Sequence, residues 1–131
     1  MWRAAVLLFL ALILCACGIK QQPDNPKYLG TWVLQSDPNQ LLVFKKDGTV
    51  KYIIDVSGQY LEATGIFVGT DDTLITHYRD IQTRNYPAEY EAATRDNILG
   101  RDRQFAVEWP SPDRQHITDA ETGFVETWQR L

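Results

Sequence analysis

The sequence predicts an all-β domain: about eight short antiparallel strands forming a small barrel or sandwich, with room for one short helix near 86–95. Three observations carry this expectation. From Tyr28 onward, short apolar runs are broken by clusters of Gly, Pro, Asp, Asn and Ser. Alternation of period two is clear in Thr49–Val56 and again in Gln104–Trp109. Most connections are of hairpin length, which makes sequential neighbours antiparallel. A chain of 131 residues with formal net charge −4 has the length and composition of one globular domain.

The elements follow in order. Leu29–Gln35 is a first strand, and Ser36-Asp37-Pro38-Asn39 reads as a turn with Pro at a favoured second position. Gln40–Lys45 is a second strand, and Lys46-Asp47-Gly48 supplies a Gly for a tight hairpin. In Thr49–Val56, Val50, Tyr52, Ile54 and Val56 share one face, while Lys51 and Asp55 mark the other. Ser57-Gly58 turns the chain into Tyr60–Val68, where Gly65 predicts a bulge or bend. Gly69-Thr70-Asp71-Asp72 is a turn, and Thr73–Arg79 is extended. Within Asp80–Arg103, Pro87–Thr94 reads equally as a two-turn helix started by Asn85 and Pro87 or as part of a long loop or an irregular strand pair. Gln104–Trp109 puts Phe105, Val107 and Trp109 on one face. Pro110–Asp113 turns, Gln115–Ala120 is short, Glu121–Gly123 turns, and Phe124–Leu131 closes the domain.

The N-terminal segment belongs to no strand. Residues 1–16, MWRAAVLLFLALILCA, have one basic residue, Arg3, followed by an unbroken apolar run from Ala4. That run is shorter than the roughly 20 residues that span a bilayer core, and it has the order of a secretory signal. Its end, Leu14-Cys15-Ala16-Cys17, resembles the bacterial lipobox, with a small residue before the acceptor cysteine. The resemblance implies that Cys17 is lipidated and becomes the first residue of the mature chain, while Cys15 leaves with the signal. In enteric bacteria an Asp after that cysteine retains lipoproteins at the inner membrane. Gly18 stands there, which points to the outer membrane, facing the periplasm. Two or more acyl chains anchor stably where one does not, at about 0.8 kcal/mol per buried CH₂. Residues 17–27 then form a polar, Pro-containing tether, and 28–131 form the domain. About ten extended residues reach roughly 30 Å from the lipid surface.

Two further stretches resemble the lipocalin and calycin barrels. Gly30-Thr31-Trp32 matches the Gly-x-Trp of their first strand, and Arg130 in Trp128-Gln129-Arg130-Leu131 stands where their closing arginine packs across that tryptophan. FKKDGTVKY is similar to the second hairpin of small bacterial lipocalin-like domains. The resemblance implies an up-and-down barrel closed by Gly30, Trp32 and Arg130, with a cation–π term of about 0.5–2 kcal/mol between the last two. It also implies a binding role. The chain departs from the family in its shorter length, its missing disulfide and its irregular 80–103 segment.

Other chemistry is sparse. His77 and His116 have no Cys, His or carboxylate at ligand spacing, so no metal is expected. No nucleophile elbow and no phosphate-cradling Gly loop appear, so neither a cofactor nor catalysis is expected. Asp71-Asp72 and Asp96-Asn97 read as turn residues, and Glu89 and Glu91 as a solvated pair. The acidic balance, with Arg101 and Arg103 interrupted by Asp102, argues against nucleic acid. Aromatic residues are the one enrichment. Tyr52, Tyr60, Phe67, Tyr78, Phe105, Trp109, Phe124 and Trp128 are spread over the strands and either line a pocket, with Tyr52, Tyr78, Phe105 and Trp109 the leading candidates, or form the core itself. Barrels of eight strands either fill their interior or hold one small ligand. Tyr86 and Tyr90 are candidates for a lid or partner surface. The expected function is that of an envelope lipoprotein binding a small apolar ligand or an envelope protein. The alternative is a periplasmic inhibitor or immunity protein that inserts 80–103 into an enzyme's cleft.

Overall fold

The computed structural model describes residues 26–131. The proposed signal, Cys17 and most of the tether lie outside the described residues. A 3-10 turn at Pro26–Tyr28 leads into eight strands: β1 (Gly30–Leu34), β2 (Asp37–Phe44), β3 (Thr49–Val56), β4 (Gln59–Gly69), β5 (Thr73–Arg84), β6 (Asp102–Ser111), β7 (Arg114–Asp119) and β8 (Val125–Arg130). One helix, α1 (Ala88–Ile98), is inserted between β5 and β6. Each strand pairs antiparallel with the next, and β8 returns to β1, with Trp32 opposite Arg130 and Leu34 opposite Trp128. The result is a closed up-and-down barrel, so the alternative of a sandwich is not realised. Closure pairs the first strand with the last and leaves no strand edge open to other chains.

Turn chemistry explains most of the connections. At Ser57-Gly58 both central residues have positive φ (49° and 82°), the geometry that matches strand twist in a two-residue hairpin. At Lys46–Gly48 the Gly48 N–H donates to Lys45 O (3.0 Å), and the Asp47 carboxylate accepts from the Thr49 N–H (2.9 Å).

Two turns lie elsewhere than the sequence predicts. The first connection is Gln35-Ser36, and Asp37-Pro38-Asn39 opens β2 rather than turning. The pairing shifts between Val33–Leu41 and Leu34–Asp37, so Pro38 sits in a bulge where no ladder N–H is required. Asp37 stabilises this kink by accepting from the Asn39 N–H (3.1 Å) and the Gln40 amide (3.0 Å). The same device places Pro110 inside β6, where the register shifts between Glu108 and Ser111, and the turn becomes Pro112-Asp113.

Gly65 marks the bulge predicted for it. Thr64 pairs with Asp80 and Gly65 with Tyr78, so Arg79 is the extra residue. A Cβ at Gly65 would lie 2.0 Å from His77 O, so no other residue fits there. The extra residue also reverses the alternation of β5. Leu74, Thr76 and Tyr78 are buried before it and Ile81 after it. β5 therefore runs on to Arg84, beyond its predicted end at Arg79.

The segment left open between helix and loop is helical, and longer than two turns. Pro87 occupies the N-cap with Asn85 at positive φ before it. Asp96-Asn97, read from the sequence as turn residues, lie inside α1. Tertiary contacts hold the helix. Ile98 is buried, the Arg95 guanidinium donates to Ile81 O (3.0 Å), and the Thr83 hydroxyl donates to the Glu91 carboxylate (3.0 Å). A bridge from Leu99 to Tyr78, with the Gly100 N–H donating to Tyr78 O (2.8 Å), returns the chain to the barrel.

The interior divides into two halves. At the end near the 3-10 turn, Tyr28 plugs the barrel. Its ring centroid lies 5.7 Å from Phe44, 6.2 Å from Phe67 and 5.0 Å from Trp109. Trp32 adds a further edge contact to Trp109 at 5.9 Å. These rings and Val50 make that half solid. The other half lies under α1 and holds the cavity described next.

Candidate functional site

Period two along β2, β3, β5, β6, β7 and β8 turns a defined set of side chains inward between the aromatic plug and α1. They line a partly open cavity of about 230 Å³. Leu42, Ile54, Leu74 and Ile117 make the aliphatic wall, and Tyr52, Tyr78, Phe105 and Trp128 the aromatic wall. Thr94, Asn97 and Ile98 of α1 form the roof. By comparison with the ~150 Å³ cavity that binds benzene, this volume suits about nine or ten non-hydrogen atoms.

The cavity is not uniformly apolar. Thr76, Arg103 and Glu126 also line it, Thr76 lying directly opposite Arg103 and Glu126 opposite Ile117. The Arg103 guanidinium is held by the Asp119 carboxylate and lies over the Phe105 ring at 5.4 Å. Burial alone would raise Asp119. The Glu121 N–H and the Arg103 guanidinium outweigh it and hold that carboxyl below its ordinary value. Glu126 behaves oppositely. Burial pushes its carboxyl up, with Arg103 opposing and Asp119 adding to the rise. Burial likewise keeps the Tyr52 and Tyr78 hydroxyls protonated well above the usual tyrosine range. The Tyr52 hydroxyl donates to the Gln40 side-chain oxygen. The buried Thr76 hydroxyl and the Trp128 indole N–H have no hydrogen-bond partner among the described residues.

The barrel brings together three of the four predicted pocket residues, Tyr52, Tyr78 and Phe105. Trp109 does not reach the cavity. It packs on Tyr28 and Trp32 and donates its N–H to Asp71 O (2.8 Å). Tyr60 stands outside the barrel beside Arg84, and Phe124 is 70% exposed at the β7–β8 turn. Tyr86 packs against the core, and Tyr90 is exposed on α1. Sequence reasoning did not single out Thr76, Arg103 or Glu126. The signal existed: Arg103 shares the parity of Phe105 and Val107, and Glu126 that of Trp128, so both belong to the inward faces.

Gly30, Trp32 and Arg130 meet below the cavity. The Arg130 guanidinium lies 4.3 Å from the centroid of the Trp32 ring system. It also donates to Leu29 O, to Lys27 O (2.7 Å), to Pro112 O (3.1 Å) and to the Asp113 carboxylate (3.0 Å). Gly30 has φ 122°, and a Cβ there would press on the guanidinium at 3.2 Å. The Trp32 N–H donates to Tyr28 O (2.8 Å), which leaves the indole wholly buried and outside the cavity wall. On the outer face, His77 contacts Asp102 (2.7 Å) and His116 contacts Thr127 (2.8 Å). No cluster of metal-ligating side chains occurs among the described residues.

No protein-family model and no curated protein matches the chain. A crystal structure described as an uncharacterized protein from Bacteroides eggerthii DSM 20697 is similar, with a TM-score of 0.57 at 16% sequence identity. The match covers 79% of this chain and 99% of that one, and at this identity it concerns the fold alone.

Proposed function

We propose that this protein is a lipid-anchored envelope lipoprotein whose lipocalin-like barrel binds a small, largely apolar molecule without catalysis. The observation that carries the reading is the roofed cavity of about 230 Å³, walled mainly by aliphatic and aromatic side chains. Arg130 over Trp32, beside Gly30, is the arrangement on which the lipocalin resemblance rests. The lipobox-like Leu14–Cys17 stretch supports the anchor at Cys17 and a place at the outer membrane facing the periplasm.

The cavity favours a small ligand over an envelope protein partner, which a filled barrel would serve as well. The inhibitor reading needs a projecting segment. Residues 80–103 instead lie along the barrel as the end of β5 and the roof helix, tied down by Arg95 and Ile98. Among the described residues a single carboxyl, Glu126, lines the cavity, whereas glycoside hydrolysis uses a pair.

Organic extraction of the protein purified from its own envelope tests this reading. A small molecule enriched over an Ile117→Trp variant, in which the larger ring occupies the cavity, is expected. Equal extracts from both proteins, with the variant folded, would refute it.

A further inference from the structure

The cavity wall contains two polar atoms that the protein itself leaves unanswered. Trp128 is 2% exposed and Thr76 is 3% exposed, and both line the cavity. The indole N–H of Trp128 is a donor only, and no acceptor among the described residues meets it. The Thr76 hydroxyl is also without a partner. Buried donors in folded proteins are nearly always satisfied, by protein, water or ligand. A ligand oxygen placed between these atoms makes hydrogen bonds that a hydrocarbon cannot make.

The charged groups narrow the choice further. The Arg103 guanidinium is already held by Asp119, so it is not a free counter-ion for an anion. Glu126 lines the same cavity and would repel a carboxylate or phosphate. An ammonium at Trp128 would set a donor against a donor, and the Arg103 guanidinium in the same wall opposes the attraction that Glu126 offers a cation.

We infer that the ligand is a compact neutral molecule, apolar over most of its surface, carrying one carbonyl, ether or hydroxyl oxygen that accepts from Trp128 Nε1 and meets the Thr76 hydroxyl. The inference rests on the binding reading above and names the class of ligand for that site. Trp128 is thereby the specificity-determining residue, and the aliphatic wall supplies the remaining contact. A site built around buried donors discriminates against the analogue that lacks the acceptor more strongly than an apolar wall discriminates by shape.

The test is calorimetric titration of the full chain in lipid nanodiscs, with protein-free nanodiscs as the blank. Four probes of matched size are used, each of about nine non-hydrogen atoms: cumene, acetophenone, benzoate and phenethylamine. Acetophenone is expected to bind about tenfold more tightly than cumene, since an unmet buried donor weakens binding by about that factor. Benzoate and phenethylamine are expected to bind more weakly than acetophenone. Trp128→Phe keeps an aromatic ring, smaller than the indole, and removes the N–H. It should remove most of the preference for acetophenone over cumene, read as the ratio of the two affinities in the same variant so that any change in packing acts on both. Thr76→Val gives a second, near-isosteric variant and should lose part of the preference. Equal affinity for cumene and acetophenone in the unmodified protein would overturn the inference while leaving the binding reading intact. So would a preference that survives both substitutions, or tighter binding of benzoate or phenethylamine. Failure of every probe to bind would overturn the binding reading, and the inference with it.

Discussion

Replacing Arg130 by Met tests how the barrel is closed. The substitution keeps an unbranched apolar stem against Trp32 and removes the guanidinium. The ring contact at 4.3 Å is worth about 0.5–2 kcal/mol. The guanidinium also answers the carbonyls of Leu29, Lys27 and Pro112, and hydrogen bonds to a charged group contribute about 1.5–3 kcal/mol each when buried. The side chain is 25% exposed, and water replaces part of that set in the variant. A net loss of about 2–4 kcal/mol is therefore expected. For a domain of this size that lowers Tm by roughly 10–20 °C. Urea unfolding followed by far-UV circular dichroism measures it without depending on tryptophan fluorescence. Arg130→Lys keeps the charge but loses the planar fork, and should fall between the two. A double-mutant cycle with Trp32→Phe isolates the ring contact, with about 1 kcal/mol of coupling expected. A loss below about 0.5 kcal/mol for Arg130→Met, or no coupling with Trp32, would refute the closure argument.

Four other expectations follow, three from the geometry and the last from the sequence. Gly65→Ala places a Cβ against His77 O and should cost about 3 kcal/mol or more, or abolish folding, as read by urea unfolding. Glu126 has a raised pKa in the folded protein, so ionising it on folding is unfavourable, and that cost appears as pH rises from its ordinary value of 4.5. The stability gained by Glu126→Gln should therefore grow with pH above that point and vanish below it, as measured by Tm against pH. Asp119 has the opposite sign. Its lowered pKa adds stability above 3.8 that is lost as pH falls through the folded value, so Asp119→Asn should be destabilised at neutral pH and approach the parent in acid. Cys17→Ala should abolish incorporation of a palmitate analogue in cells; absence of label on the unmodified protein would refute the anchor.

The strand count, the closed barrel's antiparallel order and the Gly65 bulge were legible because each rests on a local rule. Alternation, hairpin-length connections and a glycine inside a strand are written in consecutive residues. What was not legible depends on parity across irregularities. The extra residue Arg79 shifts the inward set of β5 from Leu74, Thr76 and Tyr78 to Ile81, so no single period describes the strand. Pro38 and Pro110 read as turn residues but occupy bulges, because a proline in a strand is tolerated where the ladder skips a bond. Helix α1 has little local signature beyond Pro87. Its length to Ile98 is set by contacts with β5 that only the closed barrel supplies.

The site shows the same division. Aromatic enrichment pointed to Tyr52, Tyr78 and Phe105, but not to which aromatics would fill the core. Trp109 and Trp128 are alike in sequence, two inward tryptophans near strand ends. The Tyr28 plug, anchored by its hydroxyl to Thr70 O (2.7 Å), takes Trp109 into the solid half and leaves Trp128 at the cavity. That outcome depends on a contact between residues 28 and 109, which periodicity does not encode. Arg103 and Glu126 were hidden because charged residues are read as solvated by default.

The central claim is that the roofed cavity is a binding site. Titration of cumene into the full chain in nanodiscs, beside a folded Ile117→Trp variant, tests it most directly. A ligand of about nine non-hydrogen atoms in an apolar cavity should bind with a Kd below about 1 mM. Saturable heat from the unmodified protein and none from the variant is the predicted result. Equal heat from both, or none from either, would contradict the account.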